Sequence, residues 1–206
     1  MKRFALISGL VLTSNAFATT YTLEPNYTQV VFNWDHLGFS FPTAQISQGA
    51  GMVEFDAMQP TMASVKVTLP LAMLNTGVPD LDERLKSDDF FDVAKYPQAV
   101  FTSTKVEKGA GADRLKVWGN VTLHNVTRAV TLDVQVLKVG VNARTGIATV
   151  GFNAWGKLKR SDFGLGRFVP QVGDEIEITI TTQGAEAKAY AAWLQKKAEE
   201  AASAHK

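Results

Sequence analysis

The sequence contains no cysteine. Disulfides are therefore excluded, and so are zinc sites built on thiolates. Only three histidines are present, too few for a histidine-rich metal centre. Charge of one sign is missing as well, because 21 basic residues stand against 20 acidic ones without a basic cluster. That balance argues against nucleic acid as the main partner. No internal repeat or low-complexity tract occurs. No stretch reaches the ~20 apolar residues of a membrane span.

The first eighteen residues have their own pattern. Lys2 and Arg3 precede an apolar run from Phe4 to Leu12, and Ala16-Phe17-Ala18 is a small-x-small cleavage pattern. This is the anatomy of a secretory signal peptide cut after Ala18. Its removal leaves 19 basic and 20 acidic residues, a net charge of −1. What remains is enough for one domain with a full core.

Most of that domain reads as β-strand. Apolar residues alternate with polar ones at Val30-Phe32-Trp34, Val65-Val67-Leu69, Leu115 to Leu123, Val130 to Val136, Val150-Phe152-Ala154 and Ile176-Ile178-Ile180. A period of two puts each apolar set on one face of a sheet. One wet face favours antiparallel pairing. With Tyr21–Leu23, Gly51–Asp56 and Val100–Val106, the count is eight or nine strands. Turn residues recur between them, as at Gly49-Ala50-Gly51, His124-Asn125 and Arg144-Thr145-Gly146. Short strands at this spacing form a sandwich or a barrel.

Two segments break the pattern. Leu81 and Leu85, four residues apart in an acidic stretch, predict a short helix near 80–87. The stretch from Ala185 to Ala204 is rich in Ala, Lys, Glu and Gln and predicts a C-terminal helix. Its apolar stripe is Tyr190, Trp193, Leu194, Lys197 and Ala201. The expected division is a signal peptide at 1–18, a barrel domain at 19–183 and a helical extension at 184–206.

No catalytic constellation stands out. There is no G-x-S-x-G elbow, no H-E-x-x-H and no phosphate-binding loop. Asp35-His36 comes nearest, but nothing places a nucleophile beside it. The reading that competes with an active site has His36 closing a strand. The acidic run from Asp80 to Asp92 lacks the glycine and spacing of a calcium loop, and reads as a solvated helix face. The pattern alone leaves a packed barrel and a hollow one both open.

Several blocks resemble one family. His36-Leu37-Gly38, then Asp88-Asp89-Phe90-Phe91-Asp92-Val93-Ala94-Lys95-Tyr96-Pro97, then Phe101-Thr102-Ser103-Thr104 look like consecutive YceI family blocks. Gly119-Asn120-Val121-Thr122-Leu123-His124-Asn125-Val126-Thr127 and Ser161-Asp162-Phe163-Gly164 continue the series. The match is collinear from about Tyr21 to Thr182. It implies an all-β, lipocalin-like barrel of eight antiparallel strands in the periplasm. It implies a bound polyisoprenoid or isoprenoid quinone and no catalytic cofactor. Relatives commonly carry Arg and His where this chain has Leu81 and Arg84, and a glycine near Asn125.

On that resemblance the expected function is a carrier or store that exchanges lipid with a membrane surface. Inward parity gives the expected ligand-binding residues: Phe32, Trp34, Val67, Leu69, Phe101, Val117, Val121, Leu132, Val134, Phe152, Ile176 and Ile178. Leu85, Phe90, Phe91 and Phe163 are expected to close one end. His36 shares the parity of Trp34 and is expected to meet a head group. The competing readings are an enzyme acting on a quinone or prenyl substrate through His36, and a solid-core structural domain. The C-terminal helix has three roles open to it: docking on the barrel, pairing two chains or touching lipid.

Overall fold

A computed structural model describes residues 18–204. The signal-peptide segment lies outside the described residues, apart from Ala18.

Among the described residues, eleven strands and two α-helices follow one another. They are β1 (Thr19–Leu23), β2 (Gln29–Asn33), β3 (Thr43–Ile46), β4 (Ala50–Phe55), β5 (Ser64–Pro70), β6 (Leu74–Asn75), α1 (Pro79–Lys86), β7 (Gln98–Lys108), β8 (Arg114–Leu123), β9 (Val126–Val141), β10 (Ala148–Lys159), β11 (Glu175–Glu186) and α2 (Ala187–Ala204). Every pairing is antiparallel. The order β1-β4-β5-β7-β8-β9-β10-β11 returns to β1 and closes an eight-stranded barrel. Closure over these eight strands removes most of the exposed sheet edge that invites aggregation.

The strand count exceeds eight or nine because the first three passes are each broken. Turns at Pro25–Tyr27 and Leu71–Met73 split β1 from β2 and β5 from β6, and the chain bends between Ile46 and Ala50. β11 therefore pairs with β1 through Gly184–Glu186 and with β2 through Glu177–Thr181. β3 escapes the sequence pattern because Thr43-Ala44-Gln45-Ile46 offers one large apolar residue in four. β6, at two residues, is below any period.

Beyond β6 the wall has no ladder. β6 pairs with β3 alone, and β7 pairs with β5 and β8. The gap is filled by α1 and the 87–97 segment. α1 starts with Pro79 in its first turn, where the missing N–H costs nothing. Asp82 accepts bonds from the Thr76 N–H and hydroxyl, both at 2.6 Å, and so ties the helix to β6. Those bonds hold the Asp82 carboxyl below its ordinary range.

A bulge between Ser103 and Lys105 reverses the parity of β7. Phe101 and Val106 consequently both face inward. Inside lie two large apolar clusters, one around Phe32, Leu71 and Phe163, the other around Leu23, Val117 and Phe152. Burying a side chain of this size contributes about 1.5–3 kcal/mol, which takes the place of disulfides here. A third, small cluster joins Tyr190 and Trp193 of α2 to Ile147 and Ala185. α2 begins at Ala187, later than the expected 184, because β11 runs on to Glu186. Beyond Trp193 the helix faces solvent, Leu194 and Ala201 included.

Candidate functional site

The inward faces leave space within each of the two large clusters. One cavity, of about 180 Å³, lies at the end where α1 fills the wall. Trp34 and Phe32 from β2 and its end, Leu85 of α1, Phe90, Phe91, Val121, Ile176 and Ile178 line it. A second cavity, of about 130 Å³, lies deeper and is lined by Val67, Val117, Val134, Phe152 and their neighbours. Val30, Leu69, Phe101, Leu132 and Ile180 border both. These five form a waist between an outer and an inner chamber.

Both chambers are apolar by construction, since each wall strand turns its hydrophobic parity inward. Gly119 and Gly156 occupy that same parity on β8 and β10. A Cβ on Gly119 would sit 2.4 Å from the Phe101 ring. A Cβ on Gly156 would sit 2.8 Å from Leu132 Cδ2. Both glycines thus leave room for waist side chains. Phe32 and Trp34 pack with ring centroids 6.0 Å apart, and Phe91 meets Phe32 edge-on at 6.3 Å.

Fifteen of the seventeen residues expected at the site border these chambers; His36 and Phe163 do not. His36 is a correction to the expected placement. Its backbone N–H donates to Ser40 O at 2.9 Å, and its side chain is exposed. The strand ends at Asn33, so parity no longer applies at position 36. Phe163 is buried inside the outer cluster, behind the lining. Its carbonyl oxygen accepts from His124 Nδ1 at 3.2 Å, and His124 packs edge-on against Tyr96.

Arg160 is the residue the sequence reasoning missed. It is 8% exposed and borders the outer chamber. Among the described residues lining that chamber, it alone carries a charge. The parity of Phe152, Ala154, Gly156 and Leu158, extended by two, would have found it. Arg160 Nε donates to Gly173 O at 2.8 Å, Nη1 to Leu165 O and Arg167 O at 2.5 and 2.8 Å, and Nη2 to Val172 O at 2.8 Å. The side chain thereby gathers the 164–173 loop over the chamber. Burial pushes its guanidinium below the ordinary arginine range, opposed by the nearby Asp174. Asp174 in turn accepts from the Ser161 N–H and hydroxyl. Burial raises the Asp174 carboxyl, but these bonds prevail and hold it low.

The outer chamber is rimmed by three segments. The 35–42 loop meets the 164–173 loop through a His36–Val172 bridge and a Gly173 N–H to Asp35 O bond of 2.8 Å. The 164–173 loop meets the 87–97 segment through an Arg167–Asp89 ion pair and a Phe90–Phe168 contact. Arg84 lies 5.4 Å over the Phe168 ring. Arg84 is thus a rim cation stacked on an aromatic.

A barrel with a split wall and these sequence blocks can be compared directly. The YceI-like domain model matches residues 21–184. This chain belongs to the YceI-like family. Protein YceI of Salmonella arizonae is 35% identical over 187 residues, covering 90% of this chain and 96% of its own length. The YceI protein of Campylobacter jejuni superposes with a TM-score of 0.65 at 25% identity, covering 91% of this chain and 99% of its own. A polyisoprenoid-binding domain from Saccharophagus degradans shares the fold, with a TM-score of 0.61 at 14% identity over 83% of this chain and 99% of its own. In this YceI-like chain the family blocks fall mainly on one end of the barrel. The 36–38 and 88–97 blocks lie in the rim, the 161–164 block leads into the 164–173 rim loop, and the 119–127 block carries Gly119 and the β8–β9 turn. His124 and Asn125 hold positive φ there without a glycine, a conformation that Asn tolerates.

Proposed function

We propose that the chain carries or stores a long isoprenoid lipid inside the barrel, with the tail running from the outer chamber through the waist into the inner one. The observation that carries this reading is the pair of adjoining, almost wholly apolar chambers, sharing five wall residues, inside a closed barrel. A solid core would leave no such space, which disfavours a purely structural domain. The Saccharophagus degradans domain, described as polyisoprenoid-binding, supports the ligand class.

Chamber size sharpens the reading. An apolar cavity of roughly 150 Å³ accepts a guest the size of benzene. Each chamber therefore takes a short piece of tail as it stands, and a long tail requires the waist side chains to turn aside. Transfer from a bilayer to such an interior exchanges one apolar medium for another, so shape decides which chain fits. A binding role is favoured over catalysis because His36, on which the enzyme reading rested, lies outside both chambers. The fifteen lining residues are proposed as ligand contacts, Arg160 as the polar neighbour of whatever occupies the outer chamber. Export to the periplasm through the leader at 1–18 completes the proposal.

Organic extraction and mass spectrometry of the purified protein test it. A long isoprenoid alcohol or quinone in near-stoichiometric amount is the expected result. Protein that holds no lipid and takes up no prenyl compound from farnesyl to octaprenyl length would overturn the carrier reading.

A further inference from the structure

We propose that the 35–42 loop is a membrane-docking tip that sets the barrel mouth on an uncharged lipid surface. This rests on the carrier reading, since the mouth it presents is that of the outer chamber.

The loop is a built element that holds apolar side chains in water. Phe39 is 90% exposed, Phe41 69% and Leu37 50%. Three such residues within five positions, from two aromatics and a leucine, have no folding role at that exposure. The backbone around them is nevertheless tightly tied. The Gly38 N–H donates to Asp35 Oδ1 at 2.7 Å, the Phe39 N–H to His36 O at 3.1 Å and the Trp34 N–H to Pro42 O at 3.4 Å. Leu37 is held at a φ of +60°, a left-handed conformation that a leucine adopts at a cost. The rings are therefore presented outward by a defined turn.

Location connects the tip to the cavity. Trp34, at the foot of the loop, lines the outer chamber, and so does Val172, bridged to His36. Phe168, itself 45% exposed, adds a fourth apolar residue from the adjoining loop. A surface touching this rim covers the chamber mouth.

Charge selects the kind of surface. The segments 35–42, 78–97 and 159–174 carry nine acidic side chains and six basic ones. The rim therefore carries no basic excess to draw it to an anionic bilayer, even with Arg84 and Arg167 stacked on Phe168. Aromatic and leucine side chains inserted at the acyl boundary of a neutral bilayer fit both the exposure and the charge.

Flotation of the full chain with phosphatidylcholine vesicles tests the proposal, with and without anionic lipid and at low and high salt. The parent is expected to float with neutral vesicles, insensitive to salt and no better when anionic lipid is added. F39S/F41S is expected to lose binding at least about tenfold, and F39W/F41W to restore it. Farnesol added from ethanol, followed by tryptophan fluorescence, reads the chamber separately and is expected to be unaffected by F39S/F41S. Docking lost with farnesol uptake intact confirms the tip. A parent that floats while taking up no prenyl compound defeats the carrier reading and leaves the tip standing. Floating of F39S/F41S at the parental level, a requirement for anionic lipid, or a dimer that these substitutions dissolve without any vesicle binding would each overturn the proposal.

Discussion

Arg160 meets four backbone carbonyls and no carboxylate within hydrogen-bond reach, so its side chain acts as a clamp for the 164–173 loop. Replacing it with Met keeps the bulk and removes the donors. Arg160→Met is expected to lower stability by about 2–4 kcal/mol, because polar groups near the chamber lose their partner. Chemical denaturation checks this, and limited proteolysis should then cut within 164–173. Asp174 makes a pH-dependent contribution of opposite charge. Its folded pKa lies below the unfolded value, so its stabilisation is fully present above the ordinary aspartate range and lost as pH falls through the folded value. The difference in Tm between the parent and Asp174→Asn is expected to be largest near neutral pH and to vanish once the pH has fallen through the lowered folded-state value. At this scale the sequence was legible where a period of two continued, as at Ile176 and Ile178. It misled at His36, three residues past the end of β2, where parity had already ended. Arg160 was overlooked because a charged residue was not expected on an inward face.

Between elements, the waist controls what the barrel can hold. Phe101 comes from β7, Leu132 from β9 and Ile180 from β11, so three strands must agree on their register to place it. Phe101→Ala is expected to merge the chambers into one. It should cost about 2–4 kcal/mol of stability and shift preference toward longer prenyl chains. A competition series of prenyl alcohols, read alongside thermal unfolding, measures both effects. The alternation that revealed β8, β9 and β11 could say which side chains face inward. It could not give the width of the space, because that depends on Gly119 and Gly156 yielding room and on the β7 bulge turning Val106 in. The breaks that split β1 from β2 and β5 from β6 were hidden for a related reason. Three-residue turns leave no period to read, and β3 and β6 are too short to show one.

The whole molecule joins a closed barrel to a helix that touches it only at one end. Tyr190 and Trp193 stack at 5.9 Å and pack on Ile147 and Ala185. The exposed remainder of α2 adds no packing to the barrel, so a chain ending at Glu186 is expected to fold. It should lose about 1–3 kcal/mol and the helical part of its far-ultraviolet signal, which calorimetry and circular dichroism measure. The family blocks made the barrel and its hollow legible before the geometry was known. They said nothing of the helix, which begins beyond residue 184, where the family match ends. One more consequence follows from the unladdered stretch between β6 and β7. Parting the wall there breaks no strand pairing; it separates apolar side chains of α1 and the 87–97 segment from the barrel and undoes the Arg167–Asp89 pair, together with local bonds such as Thr76 to Asp82 and Leu71 N–H to Pro97 O. Opening so governed by apolar contact carries a positive heat-capacity change, and its hydrophobic restraint weakens on cooling. The slit is thus the stretch of wall held without strand pairing, and its opening is expected to grow easier on cooling.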